Sequence, residues 1–380
     1  MQRISSLLAI ASLLIGSLYV SAPACATPQT AASAVAAASP AAPATAAAAS
    51  APAAATPAVP AKPHIALLLP LNSPAFARAA DAVKQGFLAA ADKEIRGLPV
   101  RVYPCSDEGK EIVALYQQAL SNGAVAIAGP LTRNGVAALA ENPLLTTPTL
   151  ALNLIDDTRT DQLYFFGLPP EAEARQSAQR ATNAGLLSVT IVSTDTPLSK
   201  RLAQAFSDEW QRTGGILQSV IVYNGDPTAL KELPTDPGNA VFIAAEADKA
   251  RLLRPYIDST LPVYSTSQIF PGNNHTLTNY DLTDIRFVDM PWMVQPDHPA
   301  VMIYPRSATP LPAELDRLYA LGIDAYRLLQ VVYGHNERTL LPLDGVTGKI
   351  TLSAHTFQRE AVLAIMRQGQ GVALESKSRP

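Results

Sequence analysis

The chain holds few side chains suited to covalent or metal chemistry, and their spacing gives them no partners. Its five histidines, His64, His275, His298, His335 and His355, are scattered, with no interval that sets two on one turn or helix face to ligate a metal. Asp297-His298 could form an acid–base pair, but Pro296 and Pro299 flank it, and a surface loop explains that setting better than a convergent site. Two cysteines, Cys25 and Cys105, are too few for a disulfide framework or a Cys-rich zinc site. No G-x-S-x-G, H-E-x-x-H or P-loop occurs, and no G-x-G-x-x-G follows the first strand. The sequence points away from an enzyme and implies no metal or cofactor. What remains is polar binding chemistry at Asn72, Ser73, Thr132, Asn153, Ser193, Thr194, Asp195 and Glu246. Each follows a predicted strand, where open α/β sheets bind ligands. Hydroxyls, amides and helix N-termini there could hold a carboxylate or a sugar between two lobes. The same residue types are also ordinary caps and turn formers.

The elements that must position these residues alternate strand and helix. An apolar run at 64–69 ends at Pro70 and reads as a buried parallel strand. A helix over about 75–91, a strand at 100–103, a helix over about 110–121 closed by Asn122-Gly123 and a strand at 124–128 follow. A helix through 136–140 and a strand near 149–152 continue the pattern. It restarts after Pro169-Pro170 with helices over about 171–183 and 197–212 and strands at 188–192, 216–222, 240–244 and 262–264. A long helix spans about 313–333, and turn residues between apolar ones at 343–352 suggest a hairpin or tight loop. Such alternation means βαβ units with right-handed crossovers. The expectation is an α/β fold of two doubly wound parallel-sheet lobes joined by a hinge. Lobe 1 takes 63–167 and about 291–350; lobe 2 takes 168–290 and about 351–380.

The charge balance, 29 Lys+Arg against 32 Asp+Glu for a net of -3, offers no basic face and argues against nucleic acid. Residues 1–25 read as an export signal: Arg3, an apolar stretch from Ile4 to Val20, then small residues up to Cys25. Pro23-Ala24-Cys25 partly fits a lipobox, which makes Cys25 the lipidation candidate, although Ala22 and Pro23 depart from it; cleavage after Ala26 is the alternative. Either route leaves Cys105 as a lone thiol. Residues 26–62 hold 20 Ala, 6 Pro and the single charge of Lys62, the composition of a disordered tether. As a coil it would span roughly 30–35 Å, and as polyproline II up to about 115 Å. No later stretch is long and apolar enough to cross a bilayer.

Several stretches resemble known proteins. Ile65-Ala66-Leu67-Leu68-Leu69-Pro70-Leu71, Gly86-Phe87-Leu88-Ala89-Ala90 and Ala128-Gly129-Pro130-Leu131 look like the start of a type I periplasmic binding protein. More specific are Leu318 to Tyr326 (LYALGIDAY), Asp344 to Leu352 (DGVTGKITL), Gly167 to Arg175 (GLPPEAEAR) and Phe206 to Trp210 (FSDEW). Together they resemble the C-terminal module of the LppC/LpoA family, outer-membrane lipoproteins that activate class A penicillin-binding proteins. The resemblance covers nearly all of 63–380. Fuller members carry a helical-repeat domain before this module, where this sequence has the Ala/Pro stretch. The resemblance implies a non-enzymatic activator of a peptidoglycan synthase, anchored through Cys25 on the periplasmic face of the outer membrane. The competing expectation is a soluble periplasmic solute-binding protein that closes on a small ligand, an amino acid or short peptide, for a transporter. A third is a wall or sugar enzyme, for which Asp195, Glu246 and His298 are the best candidates.

Overall fold

Six consecutive buried residues, His64–Leu69, form the strand around which the first sheet is built; a run apolar on both faces belongs inside a parallel sheet covered on both sides. The structure, a computed structural model, describes residues 62–143, 145–155 and 161–374. The expected export signal at 1–25, its Cys25, and the tether up to residue 61 lie outside the described residues.

From that strand, β1 (His64–Leu69), the chain runs through α1 (Ala77–Ala91), β2 (Val100–Pro104), α2 (Glu108–Ser121), β3 (Ala124–Ala128), α3 (Arg133–Ala140), β4 (Thr149–Ala151) and β5 (Leu163–Phe165). It then makes α4 (Pro170–Asn183), β6 (Ser188–Ser193), α5 (Pro197–Arg212), β7 (Ile216–Val222), α6 (Thr228–Lys231), β8 (Asn239–Ala244), α7 (Ala247–Leu253), β9 (Val263–Ser265), α8 (Thr276–Asn279) and β10 (Ile285–Asp289). Last come α9 (Pro291–Val294), α10 (Pro299–Met302), α11 (Ala313–Tyr333), α12 (Glu337–Leu340), β11 (Leu343–Asp344), β12 (Lys349–Ser353), β13 (Thr356–Glu360), β14 (Val362–Arg367) and β15 (Gln370–Ala373).

Two sheets result, in the orders β11-β12-β13-β5-β4-β3-β1-β2 and β15-β14-β10-β9-β8-β6-β7. Strands β1 to β5 pair in parallel, as do β6 to β10. The late strands add antiparallel hairpins, β12 on β13 in the first sheet and β14 on β15 in the second. The fold is α/β with two parallel-dominated lobes, and the chain passes between them after β5, β10 and β13.

One boundary differs from expectation. The sequence places 351–360 in the second lobe, but β12 and β13 lie in the first sheet, where Thr356 of β13 pairs with Phe165 of β5. The last crossing therefore falls at Ala361. The strand Thr356–Glu360 was hard to read because Arg359 occupies one of its two buried positions. A charged residue there hides the period-two pattern.

Three of the quoted stretches have direct packing reasons. Helices α1 and α11 touch backbone to backbone: a Cβ on Gly86 would lie 1.8 Å from Tyr319 O, and one on Gly322 would lie 2.1 Å from Val83 O. Only glycine permits that approach. Asp324, on the same helix and fully buried, accepts hydrogen bonds from Val346 N (3.2 Å), Thr347 N (2.8 Å) and Thr347 Oγ1 (2.7 Å). Its carboxylate thereby fixes the turn between β11 and β12. A pair of short motifs some twenty residues apart in sequence is one structural unit.

Candidate functional site

The C-terminal ends of β1 to β4 in the first lobe converge on a pocket of about 660 Å³. Ser73, Thr132 and Asn153, three of the expected residues, line it together with Phe76, Glu108 and Leu131. Their polar atoms are largely committed within the lobe. Thr132 caps α3, its Oγ1 accepting from Gly135 N at 3.2 Å. Asn153 donates from Nδ2 to Leu131 O (2.9 Å) and accepts from Leu154 N (2.9 Å). Asn72 is exposed and does not line the pocket; its N–H donates to Cys105 O at 3.0 Å, holding the turn after β1.

The residue that defines this pocket is Glu108, at the start of α2. Its buried carboxylate accepts from Leu131 N (2.9 and 3.1 Å) and Thr132 N (2.6 Å). Burial pushes its pKa up, and the hydrogen bonds from Thr132 and Leu131 only partly offset that. N–H groups leading into a helix are what a binding protein offers to a ligand anion. Here a carboxylate of the chain itself already holds them. The sequence predicts this helix to begin at about 110, two residues later than it does in the structure, and so leaves Glu108 outside it; an acidic residue near a helix start is in any case ordinary surface chemistry.

In the second lobe the expected residues serve the loops. Ser193 Oγ sits 3.5 Å from Ile221 O. Thr194 N donates to Ser199 Oγ at 2.7 Å, and Thr194 Oγ1 lies 3.3 Å from Thr196 Oγ1, the cap of α5. Asp195 is exposed and paired with Lys200 at 2.6 Å; that hydrogen-bonded ammonium holds its carboxyl below the usual range. Glu246 is exposed at the start of α7, and its side chain makes no cap bond. None of the four lines the first-lobe pocket.

Between the lobes, near the crossings, lies a buried charge network of which only Glu173 falls in a quoted stretch, Gly167 to Arg175. Arg317 of α11 donates to both oxygens of Asp289 at the end of β10 (3.1 and 2.6 Å), and to Ser267 O (3.1 Å) and Phe270 O (2.8 Å). Glu173 of α4 accepts from Arg359 of β13 at 2.5 Å and from Ser267 N at 3.0 Å. Gln176 adds two bonds across the same junction, to Arg359 O (2.9 Å) and from Ala361 N (2.8 Å). All four charged residues are buried. They leave a cavity of about 160 Å³ lined by Glu173, Ser267, Met290, Glu314, Arg317 and Arg359. Small-molecule sites usually occupy about 300–1,000 Å³. The hinge end of the inter-lobe space is therefore filled by protein charge, and α4 and β10 of one lobe are joined to β13 and α11 of the other.

Among the described residues no cluster of three or more His, Cys, Asp or Glu could hold a metal ion. His298 accepts from Ala300 N at 3.3 Å through Nδ1 and lies 3.5 Å from Asp344, so it shapes a helix start and pairs with a different aspartate from its sequence neighbour. Cys105 is buried, and burial, with Glu108, Glu111 and Asp107 nearby, pushes its thiol up to about 12. A thiol so protonated is no nucleophile. Among the described residues no helix is long and apolar enough to cross a membrane.

Comparison with known proteins places this architecture. The family model "LppC putative lipoprotein" matches residues 23–234 and 229–364. Similar curated proteins include the penicillin-binding protein activator LpoA of Mannheimia succiniciproducens, 29% identical over 303 residues that cover 76% of this chain and 51% of that protein. LpoA of Pasteurella multocida is 27% identical over 300 residues, covering 77% and 51%. The chain thus spans about half the length of the curated relatives it matches. Among solved structures, the LpoA (YraM) C-domain of Haemophilus influenzae, a regulator of PBP1A, superposes with a TM-score of 0.68 at 24% identity, covering 82% of this chain and 100% of that one. A Chromobacterium violaceum structure named "a putative branched-chain amino acid ABC transporter" gives 0.71 at 34% identity, covering 80% and 100%. The two-lobe fold is periplasmic-binding-protein-like.

Proposed function

We propose that this chain, which belongs to the LppC family, is a non-enzymatic regulator that binds a class A penicillin-binding protein and stimulates its peptidoglycan synthesis. The observation that carries this reading over solute capture is the buried Arg317–Asp289 and Glu173–Arg359 network. A solute-binding protein closes its lobes on a ligand. Here charges from both lobes occupy the hinge end of that space, and Glu108 occupies the N–H groups that would receive a ligand carboxylate. Lobes held in one arrangement present a single composite surface, which suits contact with another protein. Lipidation of Cys25 on the periplasmic face of the outer membrane, with residues 26–62 as the reach toward the synthase, completes the proposal.

The test is direct binding of the purified protein to the ectodomains of the host's class A penicillin-binding proteins, with cross-linking of nascent glycan as the activity readout. Saturable, selective binding with raised cross-linking is expected. No binding to any of them would overturn the proposal. The likeness to the Chromobacterium violaceum structure and the 660 Å³ pocket support the second reading, a solute-binding protein for an amino acid or short peptide. It predicts a thermal shift with such a ligand.

A further inference from the structure

A recess separate from the first-lobe pocket lies where α4 of the second lobe faces the β12–β13 hairpin of the first. Its volume is about 540 Å³, within the range of small-molecule sites. It has no lining residue in common with the first-lobe pocket and only Arg359 in common with the hinge cavity. On α4, Ala172, Arg175, Gln176 and Gln179 form one face at spacings of three and four residues. Opposite them, Lys349 and Thr351 of β12 and Gln358 and Glu360 of β13 alternate along their strands. Phe357 and Leu154 add apolar wall.

Counting charges in this recess gives a definite excess. Glu360 is engaged by Arg180 at 2.8 Å, and Arg359 by Glu173 at 2.5 Å. Both ends of the Gln176 amide are used by the backbone around Arg359 and Ala361. Arg175 and Lys349, one on each wall, are exposed, and among the described residues neither side chain makes a direct ion pair or hydrogen bond; the nearest carboxylates are Glu209, which Arg212 holds and whose pKa Arg175 helps to lower, and Glu360, directly opposite Lys349 across the β12–β13 ladder. Two exposed cations outside any direct ion pair among the described residues therefore face one recess in a chain whose net charge is -3. Carboxylates satisfy such cations through charge-assisted hydrogen bonds. Thr351, Thr356 and Gln358 supply neutral donors and acceptors for a peptide backbone, and Phe357 and Leu154 an apolar contact.

We propose that this recess binds a short peptide carrying two carboxylates, held between Arg175 and Lys349. Because the walls come from different lobes, the bound peptide bridges them. The site goes beyond the regulatory reading above, since its occupancy is measured without any synthase.

The test uses the purified full chain and N-acetyl-alanylglutamate as probe, by titration calorimetry. Saturable binding is expected, weakened at least tenfold by Arg175→Glu or by Lys349→Glu, and weakened several-fold when salt rises from 0.05 to 0.5 M. The same peptide with both carboxyls amidated should bind at least tenfold more weakly. Both replaced side chains are exposed and outside any direct ion pair, so the variants should keep the parent's circular dichroism; Arg175→Gln and Lys349→Gln, which add no carboxylate beside Glu209 or Glu360, should also keep the melting temperature and still weaken binding several-fold. No detectable binding at millimolar peptide would overturn the proposal. So would equal binding of the amidated peptide, or binding unchanged by both charge reversals.

Discussion

Glu173→Gln tests whether the inter-lobe charges hold the lobes together. The carboxylate of Glu173 accepts from buried Arg359 with one oxygen (2.5 Å) and from Ser267 N with the other (3.0 Å). Glutamine keeps one acceptor, but it turns an NH₂ toward the other donor and leaves Arg359, 9% exposed, without a counter-charge. Breaking one partner of a buried pair costs about 3–5 kcal/mol. Arg359 retains Thr347 O at 3.3 Å, which sets the expectation at the lower end, about 3 kcal/mol. With about 2–4 °C per kcal/mol for domains of this size, melting should fall by about 6–12 °C. Urea unfolding followed by circular dichroism measures the loss, with Trp210 fluorescence reporting on the second lobe and Trp292 on the segment after the second crossing. Replacing both partners, Glu173→Leu with Arg359→Met, should cost less than the two single losses added together, because no lone charge is then buried; what remains is about 1–3 kcal/mol for Ser267 N, which loses its acceptor. The reasoning fails if Glu173→Gln lies within about 0.5 kcal/mol of the parent, the range of surface changes. It also fails if the double variant is as unstable as the two single losses added together.

Three further outcomes are expected. Gly322→Ala should destabilise by about 3 kcal/mol or more, since its Cβ would meet Val83 O at 2.1 Å and force α1 and α11 apart; an alanine here that melts like the parent would refute the backbone contact. Cys105 should resist a thiol reagent at pH 8 in the folded protein and react fully once unfolded, because its thiol is pushed up to about 12; reaction within minutes in the folded state would contradict this. Glu108 has its folded pKa raised above the unfolded value near 4.5, so its contribution is present below that value and is lost as pH rises through the folded pKa. The parent's stability minus that of Glu108→Gln should therefore grow as pH falls from 7 to 4.5 in urea titrations; a difference that stays flat or shrinks would refute it.

What the sequence alone determined was whatever local pattern encodes. Helix 313–333 and helix 197–212 were legible close to their ends, because apolar spacing and, for the second, proline at the first turn are local properties. Strand His64–Leu69 and the turn before Lys349 were legible for the same reason, and their order implied two parallel-dominated lobes. Residues 351–360 were misplaced, because the lobe a hairpin joins depends on a partner strand, β5, nearly two hundred positions earlier. The candidate site was read less well. Ser73, Thr132 and Asn153 do share a pocket, since strand ends of one sheet necessarily meet, whereas Ser193, Thr194 and Asp195 are occupied in capping and surface pairing. The tertiary structure alone decided the role of Glu108, Glu173, Asp289, Arg317 and Arg359. Apart from Glu173, which falls in the quoted stretch Gly167 to Arg175, each is unremarkable in its own stretch of chain. Burial makes an isolated charge untenable, and only the folded chain brings together the partners that make it tolerable.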